Sequence, residues 1–319
     1  MENNLQKQDL FNEHSYDLHA NWYNNLYPEK EQKVKVINSL NNYKGSINHW
    51  LQELFFKCLT PFTKDKNAKW LTLGDAYGHD ARYLLDQNIH HVTASDLDDS
   101  FLKISHEQEF IKDFSAQNAE SLTLEDDSVD YILCKESYHH FPRPYAALYE
   151  MIRVASKAII IIEPQDPISK MPILLYLANL LARINDKKIN KIWKNRFSYE
   201  RVGNFVYKVS EREFEKFAAG LNLPMIAIKK LNPNFWFPGS EHIKADRKDK
   251  AFRRILFRKK IRDLFSSWGI LPSQTLSIAV FKTMPNESLK KSLIDEGYRL
   301  IEIPKNPYIK TCRINTLER

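Results

Sequence analysis

The hydrophobic pattern alternates between short apolar runs and helical spacing over the middle third of the chain. The apolar runs that predict buried strands here are Trp70–Leu73, Val92–Ser95, Val129–Cys134 and Ala158–Ile162. The last run is uninterrupted, which favours a strand covered on both faces, as in a parallel sheet. Helical spacing separates the runs at Asp80–Gln87 and Pro144–Val154. Strands alternating with helices predict an α/β fold with a doubly wound, mostly parallel sheet.

The C-terminal half has a less regular pattern. Three more strands are expected at Pro224–Lys229, Leu276–Phe281 and residues 299–303, which brings the predicted sheet to seven strands. The helical patterns in this half cover residues 168–196, 210–221, 244–262 and 287–296. Phe252, Ile255, Leu256, Phe257 and Ile261 are interleaved with many lysines and arginines, which is typical of an amphipathic helix with a basic outer face.

The changes of pattern divide the chain into three parts. Residues 1–62 are expected to form an N-terminal helical segment, with a helix at 47–59 that ends before Pro61. Residues 63–164 are expected to form the core that binds a cofactor. Residues 165–319 are expected to complete the sheet and to add helical insertions that shape the substrate site, followed by a C-terminal extension.

Composition permits an anionic partner without requiring one. The 319 residues carry a net charge of +7, from 47 basic and 40 acidic residues, and there is no strong nucleic-acid signal. The three cysteines are far apart and form no CxxC pair, so neither a disulfide framework nor a metal site is expected. The N-terminus has no signal-peptide pattern, and the longest apolar run, Met171–Ala182, is too short to span a membrane. These features predict a cytoplasmic protein and leave peripheral membrane contact open.

Polar and glycine residues follow three of the predicted strands. A loop with two glycines, residues 74–78, follows the first strand, Asp96 ends the second, and residues 135–141 follow the one that ends at Cys134. Ligands of open α/β sheets bind at the carboxyl ends of the strands. Glycines let the backbone approach a ligand closely, and a carboxylate can accept hydrogen bonds from ribose hydroxyls. The order of these residues predicts an enzyme that uses a nucleotide-type cofactor.

The block at residues 69–163 resembles the class I S-adenosylmethionine-dependent methyltransferases, particularly the small-molecule branch called methyltransferase type 11. The segments that carry the resemblance are residues 71–78, 94–96, 118–122 with 127–131, and 139–141 with 147–154, closed by Glu163-Pro164. The glycine loop departs from the family pattern. Thr72 stands where the family usually has an acidic residue, Ala76 stands where it has a glycine, and Asn118 stands where it has an aspartate.

The resemblance implies S-adenosylmethionine as the cofactor and S-adenosylhomocysteine as the product. The residues that it assigns to cofactor binding are Gly74, Asp75, Ala76, Gly78, Asp96, Leu97, Asn118, Ala119 and Lys135. His139, His140 and Glu136 are the candidate catalytic residues, because an oxygen nucleophile loses a proton and a histidine is suited to take it. Each histidine taken singly can instead pack against the loop or hydrogen-bond it, and Asp75 can instead cap the following helix.

The expected reaction is methyl transfer to an oxygen of a small-molecule, glycan or lipid-linked acceptor. Two alternatives stay open at this point. The positive charge permits an RNA or protein methyltransferase, and the departures at Thr72 and Ala76 motivate a non-catalytic cofactor-binding or regulatory module. The sequence determines neither the acceptor nor the oligomeric state.

Overall fold

The structure is a computed structural model that describes residues 14–19, 21–22, 24–167, 171–184, 189, 196–200 and 204–308. Its centre is one eight-stranded sheet. The strands are β1 Lys69–Leu73, β2 His91–Asp96, β3 Asp113–Ala116, β4 Val129–Lys135, β5 Ala155–Pro164, β6 Met225–Leu231, β7 Thr275–Phe281 and β8 Arg299–Glu302. Their spatial order is β3-β2-β1-β4-β5-β7-β6-β8.

Helices cover the sheet and connect its strands. The helices are α1 Lys30–Ile37, α2 Ser39–Asn42, α3 Ile47–Phe56, α4 His79–Asp86, α5 Ser100–Glu107, α6 Pro144–Val154, α7 Pro172–Ala182, α8 Glu211–Gly220, α9 Lys250–Ser267 and α10 Glu287–Asp295. Short 3₁₀ turns occupy Lys57–Leu59, Phe62–Lys64, Tyr138–His140 and Ser240–His242. Parts of residues 14–26 are also helical.

The sheet is mostly parallel, as predicted. The neighbours β3, β2, β1, β4 and β5 pair in parallel, whereas β7 is antiparallel to both β5 and β6, and β8 is antiparallel to β6. The carboxyl ends of β1, β2, β4, β5 and β6 therefore share one edge of the sheet. Ligands of open α/β sheets bind at this edge, so it is the place to search for a site.

Side chains alternate between two apolar layers along the buried strands. In β5, Ile160 and Ile162 face a core formed with α3, α4 and α5, whereas Ile159 and Ile161 face a core formed with α6 and α8. All four side chains are fully buried. The uninterrupted apolar run thus arises because helices cover both faces of the strand, which confirms that prediction.

The number of strands differs from the seven that the sequence predicts. The additional strand is β3, at the edge of the sheet beside β2. Its four residues are exposed or half-buried, so it has no apolar run that would reveal it. An edge strand this short is defined by its backbone pairing with β2, which the sequence pattern does not record.

Two of the predicted C-terminal helices agree with the structure, and one differs in part. Helix α8 starts after Ser210 with the predicted capping box, in which Ser210 and Glu213 bond each other's backbone amides. In α9, Phe252 and Ile255 are buried against α3, but Phe257 is 65% exposed. The apolar stripe is therefore limited to the first half of α9, and the expected amphipathic pattern does not extend to Phe257.

Part of the predicted helix at 168–196 lies outside the described residues. Within the described residues, α7 is a helical part of this range. In the described part of the chain, no helix combines the length and the apolar character that crossing a lipid bilayer requires. The strands before and after Pro164 form one sheet. The three-part division of the chain stays a prediction.

Candidate active site

A cavity opens where β1, β2 and β4 end. Of the predicted site residues, those that line it are Gly74, Ala76, Asp96, Leu97, Asn118, Ala119, Glu136 and His140. Asp75, Gly78, Lys135 and His139 lie beside the cavity and do not line it. Tyr16 and His19, from the N-terminal helical stretch, also face the cavity. The structure thus brings most of the predicted residues together. It also places beside them an N-terminal segment that was not predicted to belong to the site.

The glycines of the loop after β1 are required by its packing. Gly74 has φ +72°, and a Cβ placed on it would lie 2.5 Å from the Cβ of Ser137. Gly78 has φ +78°, and its Cβ would lie 2.8 Å from Cγ2 of Ile111. Side chains at either position would meet both an unfavourable backbone conformation and a clash. The loop can therefore lie close to the segment after β4 only with glycine at Gly74.

Asp75 caps helix α4 from within the loop. Its carboxylate accepts the backbone N–H groups of Asp80 at 3.1 Å and Ala81 at 2.8 Å, and the Thr72 hydroxyl at 2.9 Å. Gly78 occupies the N-cap position and has no side chain for this task. Burial and the neighbouring Asp80 carboxyl raise the pKa of Asp75. The structure therefore gives Asp75 the capping role that the sequence left open, with Thr72 as its partner.

Lys135 forms a buried ion pair next to the cavity. Its Nζ lies 3.2 Å from the carboxylate of Asp80, and its side chain is only 11% exposed. The aromatic rings of Phe55 and Phe56 lie 5.8 and 5.4 Å from the ammonium. Burial disfavours the charged amine, but Asp80 and Glu136 raise the pKa of Lys135 above its ordinary value. Lys135 is thus a permanent cation that neutralises the acidic groups around the loop.

Asp96 presents a carboxylate with unused acceptor capacity to the cavity. It accepts a long hydrogen bond from the backbone amide of Asp98, at 3.3 Å. Burial raises the pKa of Asp96 to about 7. A half-buried carboxylate with so few donors is stabilised by a ligand that brings its own hydroxyl groups. The ribose of an adenosine cofactor supplies two such hydroxyls, so this end of the cavity fits S-adenosylmethionine.

The far side of the cavity is held by Glu120, which the sequence did not single out as a site residue. One of its carboxylate oxygens accepts the Tyr16 hydroxyl and Nε of Arg143, both at 2.6 Å. The neighbouring Asn118 accepts the backbone amide of Glu120 at 2.9 Å. These bonds join the N-terminal stretch to the loop that contains Asn118 and Ala119. No local sequence pattern reveals these bonds, because the partners are far apart along the chain.

The two histidines form two separate pairs with carboxylates. Nδ1 of His139 lies 2.5 Å from Glu163, whose carboxylate is fully buried and also accepts the backbone amides of Ser137 and Tyr138. Burial disfavours the imidazolium of His139, but Glu163 raises the pKa of His139 above its ordinary value. Nδ1 of His140 lies 2.6 Å from Glu200. Of the two histidines, only His140 faces the cavity.

Residues after α7 fix the position of His140. The Asn204 amide donates to the backbone carbonyl of His140 at 2.7 Å, and the backbone amide of Glu200 donates to the carbonyl of Asn204. Burial opposes ionisation of Glu200, but its hydrogen bond with His140 lowers the pKa of Glu200 below the ordinary value. The ring of His19 lies 5.0 Å from that of His140, and burial lowers the pKa of His19 to about 4. His140 therefore has an ionised carboxylate on one side and a neutral imidazole on the other.

Glu136 combines a place on the cavity with a strained backbone. Its φ is +53°, a left-handed conformation that non-glycine residues rarely adopt. Burial raises the pKa of Glu136, although Lys135 opposes this effect. Strain of this kind persists where the surroundings impose it, and it is often found at functional sites. Glu136 remains a candidate for contact with a ligand.

Donor atoms of His139, His140 and Glu200 lie within 4.8 Å of one another, a distance at which three ligands can share a metal ion. No metal was expected from the sequence. In the described chain, each histidine already makes a short hydrogen bond to a carboxylate. We therefore interpret the cluster as two hydrogen-bonded pairs.

Comparison with known proteins identifies the class to which this site belongs. Residues 71–162 match the family model described as "Methyltransferase domain". This part of the chain is a class I methyltransferase domain, and its cofactor is S-adenosylmethionine. The matched segment contains most of β1, all of β2, β3 and β4, and most of β5. It includes every predicted cofactor-binding residue.

Solved structures with a similar chain trace are distant in sequence. YcgJ from Bacillus subtilis is 19% identical, with 73% of this chain and 100% of that chain covered and a TM-score of 0.47. A putative methyltransferase from Bacillus halodurans is 16% identical, with 72% and 99% covered and a TM-score of 0.44. The 1,6-didemethyltoxoflavin-N1-methyltransferase of Burkholderia thailandensis, which was solved with S-adenosylhomocysteine, is 12% identical, with 73% and 78% covered and a TM-score of 0.45. No curated protein matches the chain.

Proposed function

We propose that this protein transfers the methyl group of S-adenosylmethionine to an oxygen of a small-molecule, glycan or lipid-linked acceptor. The observation that supports an oxygen acceptor is the pair of His140 and Glu200 at the cavity, with a distance of 2.6 Å between Nδ1 and Oε2. A hydroxyl group is a poor nucleophile until it loses its proton, whereas a neutral amine already has a free lone pair. A paired histidine in the cavity therefore favours oxygen.

The pair defines which nitrogen of His140 accepts the proton. Because Glu200 is ionised, it accepts a hydrogen bond from Nδ1–H, which leaves the lone pair on Nε2. Nε2 can then accept the proton of an acceptor hydroxyl, and Glu200 stabilises the imidazolium that forms. The bound cofactor supplies an electrophilic methyl group on a positively charged sulfur. The contribution of the chain is to place the acceptor and to remove its proton.

The cofactor-binding role is assigned to the residues that line the other part of the cavity. Asp96 would accept the ribose hydroxyls, because the hydrogen bond that its carboxylate accepts from the Asp98 amide is long and leaves acceptor capacity unused. Asn118 and Ala119 would lie along the adenine, and the backbone of Gly74 to Ala76 would approach the methionyl end. Asp75, Gly78 and Lys135 would act indirectly, because they shape the loop and set its charge.

Methyl transfer to a panel of hydroxyl and amine acceptors tests the proposal. Purified protein with S-adenosylmethionine is incubated with sugars, nucleotide sugars, phenols and amines, and products are identified by mass spectrometry and NMR. We expect an O-methyl product and a large loss of turnover in His140→Gln. The matched control is His90→Gln, which changes an exposed histidine far from the cavity. An N-methyl product, or full turnover in His140→Gln, would contradict the proposal.

A further inference from the structure

A second, larger cavity lies at the same edge of the sheet, beside β6 and β7. Its volume is about 780 Å³, and it is bordered by α9 and by the loop after β6. It shares no lining residue with the cavity that contains Asp96 and His140. Cavities of about 300–1,000 Å³ are typical of small-molecule sites. The methyl transfer proposed above assigns no role to this cavity.

Four cations line one stripe of α9. Lys250, Arg254, Arg258 and Arg262 follow one another at intervals of four residues, which places them on one side of the helix. The acidic residue in the lining is Asp249, and its carboxylate is engaged as the helix cap with the amides of Ala251 and Phe252.

The charge of this stripe is not balanced within the part of the chain that the structure describes. There, no ion pair involves Arg254 or Arg258, whereas Lys259 on another side of α9 pairs with Asp263 at 2.7 Å. Like charges four residues apart destabilise a helix. An anionic ligand in the cavity would remove that cost.

One end of the stripe is held in a fixed position. Nε of Arg262 donates to the side-chain oxygen of Asn232 at 3.0 Å, and its guanidinium also reaches the carbonyl of Pro272. Asn232 in turn accepts the backbone amide of Gln274 at 3.1 Å. This wall of the cavity is therefore preorganised, and Arg262 serves as an anchor for the helix. Arg254 and Arg258 are the cations with guanidinium groups available to a ligand.

Aromatic residues form the opposite wall. Trp236 is 60% exposed, on a short loop whose neighbours Phe235 and Phe237 pack into the apolar cluster between α3 and α9. Gln274 braces this loop, because its side chain accepts the backbone amide of Asn234 at 2.8 Å and donates to the carbonyl of Asn234 at 3.2 Å. A large exposed indole on a braced loop is suited to contact a ring or a chain of a ligand.

We propose that this cavity binds a diphosphate group through Arg254 and Arg258, with the organic group of the ligand against Trp236. Arginine binds phosphate oxygens with paired hydrogen bonds, and two arginines one turn apart match two linked phosphates. The diphosphate can belong to a nucleoside diphosphate or to an isoprenyl diphosphate. The inference concerns binding alone and does not depend on the acceptor proposed above.

Isothermal titration calorimetry of the full chain tests the proposal with three probes: inorganic pyrophosphate, uridine diphosphate and farnesyl diphosphate. We expect saturable binding at physiological salt that becomes at least about tenfold weaker in Arg254→Ala and in Arg258→Ala. Arg253→Ala is the matched control, because it removes the same charge from an exposed neighbour that does not line the cavity. Its affinity should stay within about twofold of the wild type. Thermal unfolding of each variant checks that it is folded.

The Trp236→Ala variant identifies whether the diphosphate belongs to a nucleoside or to an isoprenyl ligand. It should weaken binding of one organic diphosphate while leaving that of pyrophosphate unchanged. A stronger effect on uridine diphosphate would identify a nucleoside ligand, and a stronger effect on farnesyl diphosphate would identify an isoprenyl ligand. The proposal is overturned if none of the three probes binds, or if Arg253→Ala weakens binding as much as Arg254→Ala does. The second outcome would mean that the basic helix attracts anions without a defined site.

Discussion

Nδ1 of His140 lies 2.6 Å from Oε2 of Glu200, although sixty residues separate them along the chain. The contact joins the loop after β4 to the segment that follows α7. It holds the imidazole at the cavity and, in the proposed reaction, leaves Nε2 free to accept a proton. A carboxylate that orients a histidine in this way affects the rate of proton transfer without touching the substrate.

Glu200→Gln should therefore lower kcat by about 10–100-fold and leave the affinity for S-adenosylhomocysteine unchanged. Steady-state kinetics between pH 6 and 9 provide the measurement. Glu125→Gln, at an exposed turn, is the control and should behave as the wild type. An unchanged kcat in Glu200→Gln would show that the contact is only structural.

Gly74→Ala should destabilise the protein by about 3 kcal/mol, because it combines a left-handed backbone with a clash against Ser137. Gly45→Ala is the matched control. Gly45 has nearly the same φ, +79°, but nothing lies within 4 Å of its added Cβ, so its cost should be about 1 kcal/mol. Urea unfolding measures both values. Equal costs would mean that the contact between the loop and Ser137 is looser than described.

Asp75→Asn should lower the free energy of unfolding by about 1–3 kcal/mol, since the amide cannot accept from both Asp80 and Ala81 as the carboxylate does. The affinity for S-adenosylhomocysteine should change little under conditions in which the variant is folded. Asn286→Ala removes the cap of α10, far from the site, and controls for the loss of a cap alone. If Asp75 instead binds the ammonium group directly, affinity would fall more than about tenfold while stability stayed near the wild-type value.

The order of elements in the cofactor half could be predicted from the sequence because the signals there are local. The apolar run of β5, the glycine loop and Asp96 each occur within a few residues, and the structure places them as one edge of the sheet. Strand β3 could not be predicted, because its definition is the backbone pairing with β2.

The partners of the site residues were also not predictable. Glu163 was recognised only as the end of a family match, and nothing in the sequence connects it with His139. Glu120 and Glu200 meet their partners through long-range packing. A general signal was nevertheless available: buried carboxylates are almost always paired, so acidic residues at strand ends deserve a search for partners. The capping role of Asp75 was considered from the sequence, and the structure supports it.

The pair of His139 and Glu163 should make stability depend on pH. In the folded protein, the pKa of His139 is higher than in the unfolded chain. The contribution of the protonated pair to the free energy of unfolding is therefore complete below about pH 6.5. This contribution is lost as the pH rises through the folded pKa. The difference in unfolding free energy between the wild type and His139→Ala should therefore be larger at pH 5.5 than at pH 9. His90→Ala, an exposed control, should show no such trend; a pH-independent difference for His139→Ala would contradict the account.

Titration of S-adenosylhomocysteine at pH 6 and pH 8, into the wild type and Asp96→Asn, tests the central claim most directly. Asp96 has a pKa of about 7 without ligand, and ribose hydroxyls bind best to its ionised form. Binding to the wild type should be tighter at pH 8 than at pH 6, with proton release at pH 6. Asp96→Asn should bind about tenfold more weakly at pH 8 and lose the pH dependence. No binding by the wild type, or equal affinity in Asp96→Asn, would contradict the assignment of this cavity to the cofactor.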